Sequence, residues 1–276
     1  MDHSLVEVVS FLAAPFVMCM VLVGIHCYLG LHVLARGVIF VDLSLAQVAA
    51  LGSTIAFAMG FEHHTAAAYF ISLASTFLAA LLFALARTQE RKMPQEAVIG
   101  IVYAFSSAAV VLVVDRIAHG AEHIKDILIG QVLWVSWHDV GKTFLIYASV
   151  SVVHYVFRKQ FLAMSFGRKQ ANPVFWDFLF YALFGIVITS SVSLAGILQV
   201  FAYLIVPASV ASFFVSTVGK RLVFGWIFGL TMSLLGMVLS YFWDLPAGAF
   251  IVVIFAAWPV LFLFFFAAQS LLGRRS

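Results

Sequence analysis

Asp42 is the first residue whose type and setting point to chemistry. It follows Val38-Ile39-Phe40-Val41 and precedes an apolar run, so it lies in or close to a membrane. Carboxylates there are costly and tend to mark an ion path. Asp is also a favoured N-cap where a helix begins, and the sequence leaves both readings open. Gln47 lies five residues on, about 140° around a helix. One regular helix therefore cannot bring the two onto one ion. They could line different walls of a path, or meet if the helix is unwound. Ser44 stands between them and completes the candidate path.

A second group is His119-Gly-Ala-Glu122-His123. The H-x-x-E-H spacing is a zinc-protease pattern when it lies on a helix. Here the sequence places it in a short loop with a glycine inside. The readings are a solvated loop, or an extracytoplasmic mouth that collects metal weakly, to which His63 and His64 could add. A catalytic zinc site lacks an obvious third ligand. Cys19 and His26 share a helix face seven residues apart, about 10 Å along the axis, too far for one ion, and read as buried packing residues. The two cysteines, Cys19 and Cys27, form no C-x-x-C pair, so no disulfide is expected. No G-x-x-x-x-G-K-[ST] loop occurs, so ATP phosphates are not cradled by that route.

The elements that must position these residues are set by composition. The 276 residues are 64% hydrophobic and 10% charged, against about a quarter charged in a soluble domain. A chain so apolar needs the bilayer as part of its solvent. The expected class is all-α, one polytopic membrane domain over 1–276. Candidate spans fall at approximately 8–29, 43–61, 66–86, 97–115, 140–157, 174–194, 196–217, 222–242 and 247–270, for a total of eight or nine. The first has no basic segment before it, so it reads as a span and not a cleavable signal. Ile127–Val135 is apolar but half a span long, hence re-entrant or interfacial. The formal charge of +3 comes from small basic groups between apolar runs, which argues for topology and against a nucleic-acid partner. Arg36, the Arg87–Lys92 and Arg158–Lys169 groups, Lys220, Arg221, Arg274 and Arg275 fall on one side; Arg116, Lys125 and Lys142 fall on the other. The first side is then cytoplasmic, with the C-terminus.

Gly225, Gly229, Ser233, Gly236 and Ser240 form a stripe of small residues. It suits close helix packing, either within the chain or as a homodimer seam. Pro207 interrupts an apolar run and should bend it. The longest polar break, 157–177, reads as a topology-setting loop or as a docking element for a cytoplasmic partner.

Four ordered segments together resemble the permeases of the ABC-3 family, bacterial importers of zinc and manganese. They are GLHVLARGVIFVDLSLAQVAALG from Gly30, EAVIGIVY from Glu96, GAEHIKDILIGQVLWVSWHDV from Gly120, and GILQVFAYLIVPASVA from Gly196 followed by SYFWDLPAGAFI from Ser240. The resemblance implies an ABC type II importer-like permease in the bacterial inner membrane that pairs with itself or a similar permease. It also implies a separate cytoplasmic ATPase, an extracytoplasmic metal-binding protein, and a divalent metal as transported substrate with no permanent cofactor. Ser165, Phe166 and Gly167 would lie in its coupling loop, facing the ATPase. Pro207 and Gly196 belong to its helix-break segment. Many members carry Asp and, four residues later, His in the second span; this chain has Asp42 displaced by one and Gln47. Gln is a neutral oxygen donor that suits harder ions better than zinc. The rival readings are a permease for a metal chelate and an intramembrane metalloenzyme built on His119, Glu122 and His123.

Overall fold

The computed structural model describes residues 5–62, 65–117, 120–167 and 171–273, and among them there is helix and no strand. The helices are α1 (Leu5–Arg36), α2 (Val41–Ala58), α3 (Ala66–Ala86), α4 (Gln95–Val114), α5 (Gly120–Ile129), α6 (Trp137–Val156), α7 (Arg158–Ser165), α8 (Pro173–Phe214), α9 (Val218–Trp243) and α10 (Ala247–Gly273). Local chemistry sets their ends. The Thr65 hydroxyl accepts the Ala68 N–H at the start of α3. Ser136 and Asp139 form a reciprocal capping box on α6. Gly37 leaves α1 with φ +70°, a conformation glycine adopts at no steric cost.

Among the described residues, seven helices are long and apolar enough to cross a membrane, or eight when α6 and α7, bent by 79°, count as one. One of the seven is α8, with 42 residues, about 63 Å if straight and twice a hydrocarbon core. It is not straight, because Gly196 has φ 76° and ψ 163°. Its first arm runs antiparallel to α1, since Asp177 meets Arg36 and Ser191 meets His26. Its second arm runs parallel to α1, since Gln199 approaches Cys19, and Leu204 and Ala208 pack on Gly30. The helix therefore doubles back at Gly196, and its arms are the runs 174–194 and 196–217 of the sequence. Both arm ends lie at the basic end of the bundle: Asp177 contacts Arg87, and Ser209 and Ser212 share a cavity with Arg36 and Arg221. Counting the arms separately brings eight crossings to nine.

The elbow is held by an absence of side chains. A methyl group on Gly196 would run into the backbone of Ile129 and Gly130, and one on Gly248 into the Ile129 carbonyl. Gln131 N–H donates to the Leu194 carbonyl at 3.0 Å beside this contact. The ten-residue α5, too short to cross, thus re-enters from the end opposite the basic one and rests on the elbow. Pro207, expected as the bend, lies inside the second arm, eleven residues past the real break.

The small-residue stripe of α9 faces inward. Gly225 packs on Cys27 and Pro207, Gly229 on Val23 and Pro207, and Gly236 on Ile251. These contacts are intramolecular, so the stripe is a packing face and the homodimer seam is set aside for it. A Gly196→Ala chain should lose on the order of 1–3 kcal/mol from the left-handed backbone alone, with more from the clash. Gly141→Ala, which points into open space, is the control. Thermal unfolding in detergent should show a drop of several degrees for the first and none for the second.

Candidate functional site

The basic end carries a buried polar joint. Arg36 closes the last turn of α1, and Arg87 directly follows α3. Cations are favoured at these helix C-termini. Asp177, one turn into α8, is fully buried between them. Its Oδ1 accepts from Arg36 Nη1 at 2.8 Å, and Arg87 Nη1 donates to both carboxylate oxygens at 2.9 and 2.8 Å. The Arg36 guanidinium lies 3.8 Å from the centre of the Phe180 ring, where its charge also meets the ring's negative face. Arg36 Nε donates to the Ser165 hydroxyl at 3.0 Å, and that hydroxyl pairs with His32 Nδ1 at 2.7 Å. Deeper in the bundle, His154 of α6 bonds Tyr28 at 3.2 Å and stacks on Phe161 of α7 at 4.2 Å. One contiguous polar and aromatic cluster therefore joins α1, α3, α6, α7 and α8.

This geometry corrects the reading of Ser165. It is buried and points into the bundle, while Phe166 and Gly167 stand exposed beyond it. The reason is positional: Ser165 is the last residue of α7, and Arg36 and His32, one turn apart on α1, both reach it. Beside the joint opens a cavity of about 800 Å³ whose walls include Arg87, Phe166, Ser209 and Arg221.

Asp42 is not the N-cap of α2. That position is Phe40, with no side-chain cap, and Asp42 lies inside the first turn. It is 1% exposed, and neither carboxylate oxygen has a hydrogen-bond partner among the described residues. The charge of Glu96 acts on it. Glu96 Oε1 accepts from Phe40 N–H at 3.2 Å, and its Oε2 is also buried without a partner. A bare carboxylate in such surroundings is costly. Ser44 is buried with an unpartnered hydroxyl. Gln47 is half-buried on another face of a helix that stays regular throughout. It does not join Asp42, and no unwinding brings them together.

At the opposite end, His63, His64 and His119 lie outside the described residues. Glu122 and His123 belong to the first turn of α5 and not to a loop. Glu122 is exposed. Among the described residues no three His, Cys, Asp or Glu side chains come close enough to hold a metal ion. His26 bonds the Leu22 carbonyl at 2.7 Å and Ser191 at 3.1 Å, with Tyr147 on the same serine.

The sequence reading missed His32, His154, Asp177 and the pairing of Arg36 and Arg87 with that carboxylate. A signal existed for two of them: His32 and Arg36 stand at i and i+4 on an otherwise apolar helix. Nothing local marks Asp177 as their partner, 141 residues away.

Comparison with known proteins follows the same geometry. Residues 9–268 match the family described as ABC 3 transport family. The manganese transport system membrane protein MntC of Listeria monocytogenes is 27% identical over 251 residues, 89% of this chain and 87% of that one. The chelated iron transport system membrane protein YfeC of Yersinia pestis is 25% identical, covering 84% and 79%. Among solved structures, PsaBC from Streptococcus pneumoniae in complex with Fab superposes with a TM-score of 0.75 at 21% identity, covering 93% of each chain. An inward-facing metal-chelate type ABC transporter gives 0.69 at 18% identity, covering 96% and 92%. The fold is thus that of ABC transporter permeases.

Replacing Asp177 with Asn removes the charge that balances two guanidiniums, one of them 3% exposed. Breaking a buried pair in this way costs about 3–5 kcal/mol, whereas Ser165→Ala should cost about 1 kcal/mol. The order of the two unfolding midpoints in detergent checks this.

Proposed function

Because the chain belongs to the ABC 3 transport family, we propose that it is the membrane-spanning permease subunit of an ATP-driven importer for a divalent metal ion. With no phosphate-cradling loop in the chain, ATP is hydrolysed on a separate cytoplasmic ATPase. Two permease protomers pair in a bacterial inner membrane, and an extracytoplasmic binding protein delivers the metal. The basic end of the bundle, with the C-terminus, faces the cytoplasm.

One observation carries the reading. A short helix, α7, turns 79° off its span at the basic end, and its last side chain is pinned into the bundle. Such an element can receive a push from outside and pass it to α1 and, through Arg36 and Asp177, to α8. Phe166 and Gly167 present the outer surface for the ATPase, and Ser165 transmits from within.

Asp42 supplies the ion path with a carboxylate that has no hydrogen-bond partner among the described residues. Gln47, also on α2, is an oxygen donor as well. Oxygen donors suit manganese better than zinc, and the manganese-transport relatives support that choice. The chelated-iron relative supports a second reading, in which the metal arrives bound to a chelator.

Expression beside an ATPase in a permease-deficient cell tests the proposal through accumulation of manganese, zinc and iron. Asp42→Ala should abolish accumulation while leaving membrane insertion unchanged; normal uptake would remove Asp42 from the path. Gly167 has φ +76° and open space around it. A Gly167→Trp chain should insert but lose most co-purification with the ATPase, and unaltered co-purification would speak against docking there.

A further inference from the structure

A cavity of about 500 Å³ opens at the end opposite the basic one, inside a single protomer. α5 roofs it, and α2, α3, α6 and the first arm of α8 form its walls. It is polar for a membrane bundle: Ser53, Tyr69, Thr143 and Ser190 line it. Thr143 is 3% exposed and makes no hydrogen bond among the described residues. The space far exceeds the ~10–15 Å³ that one water needs, so the cavity is wet.

Its charges are few and mixed. Asp126 and Asp139 line it, with Lys142 as the counter-charge. Asp139 spends Oδ2 on the Ser136 amide and hydroxyl, at 2.9 and 2.7 Å, and Oδ1 makes no hydrogen bond. Two carboxylates against one ammonium leave a net negative mouth. Hydroxyls and carboxylates accept hydrogen bonds from the waters of a cation that keeps its hydration shell. Below the cavity, α2 continues on the same face. Steps of four, seven and eleven residues from Asp42 reach Ala46, Ala49 and Ser53, each within about 40° of Asp42 around the helix. Ala46 and Ala49 are buried and carry only methyl groups. The cavity therefore stands directly above Asp42, on the strip of α2 with the least side-chain bulk.

We infer that this cavity is a loading site within each protomer, where the divalent cargo is held as its hydrated ion beneath α5. The inference rests on the importer reading and adds to it a residue set, Thr143, Asp126 and Asp139, that acts before Asp42.

Thiol labelling of the intact transporter in cells tests it. Both native cysteines are buried, so a Ser53→Cys chain reports the cavity. An externally added, membrane-impermeant methanethiosulfonate should modify it, and millimolar manganese should slow the reaction at least fivefold where sodium at equal ionic strength does not. Asp126→Asn should remove the protection, and Lys142→Gln should deepen it. Should Ser53→Cys fail to fold, Ser193→Cys, on an exposed residue of the same cavity, serves as reporter. A reporter that stays unmodified, or a rate indifferent to manganese, overturns the site. Metal uptake by the unaltered transporter is read separately. Uptake without protection sinks the loading site alone, and protection without uptake keeps the site and sinks the importer reading.

Discussion

The carboxylate of Asp177 holds the basic end of this protein together. It sits without solvent contact between Arg36 and Arg87, and three helices meet there because three charges do. Two guanidiniums share one carboxylate, so the cluster keeps an excess positive charge. Part of it is spread over the Phe180 ring and part over the Ser165 hydroxyl. Since Ser165 accepts from Arg36, its own proton is free for His32 Nδ1. The fourth helix, α7, is thereby bound to the first three through one hydroxyl. Ion clusters of this kind are poor sources of stability because desolvation offsets attraction. Their geometry is exacting, and that suits the coupling role proposed for this end.

The opposite end solves the same problem by other means. Gly130, Gly196 and Gly248 allow three backbones to touch where no side chain would fit. Charge fixes one end of the bundle, and close backbone approach fixes the other. Between them α8 doubles back, with its first arm bound to the joint and its vertex under α5. A shift of α7 thus has a covalent route to the elbow that α5 rests on.

Along α2 the two ends are linked by polar groups that the protein leaves unmet. Asp42 and Ser44 lack partners within the bundle, and Thr143 faces a wet cavity above. A soluble core would pair or remove such groups. In the importer proposed above, unmet oxygens on a strip of small residues would give cargo a transient place, since an ion must leave as readily as it enters.

Apolar run length and the placement of Lys and Arg were enough to determine from the sequence an all-α membrane bundle, its spans and its basic end. The two arms either side of Gly196 were legible because each is hydrophobic enough to stand alone. Asp42 stood out because a carboxylate in an apolar run is rare. These are properties of single segments, which hydropathy reads directly. Tertiary structure alone decided that Asp177 is the partner of Arg36 and Arg87, and that Ser165 turns inward. It also decided that the glycines of α9 meet α1, α8 and α10 instead of another copy, and that Glu122 and His123 begin a helix. Each of these depends on which distant helices become neighbours. That is a pairwise property: a buried charge or a bare glycine is explained only by the group packed against it, and no local pattern in the chain encodes that group's address.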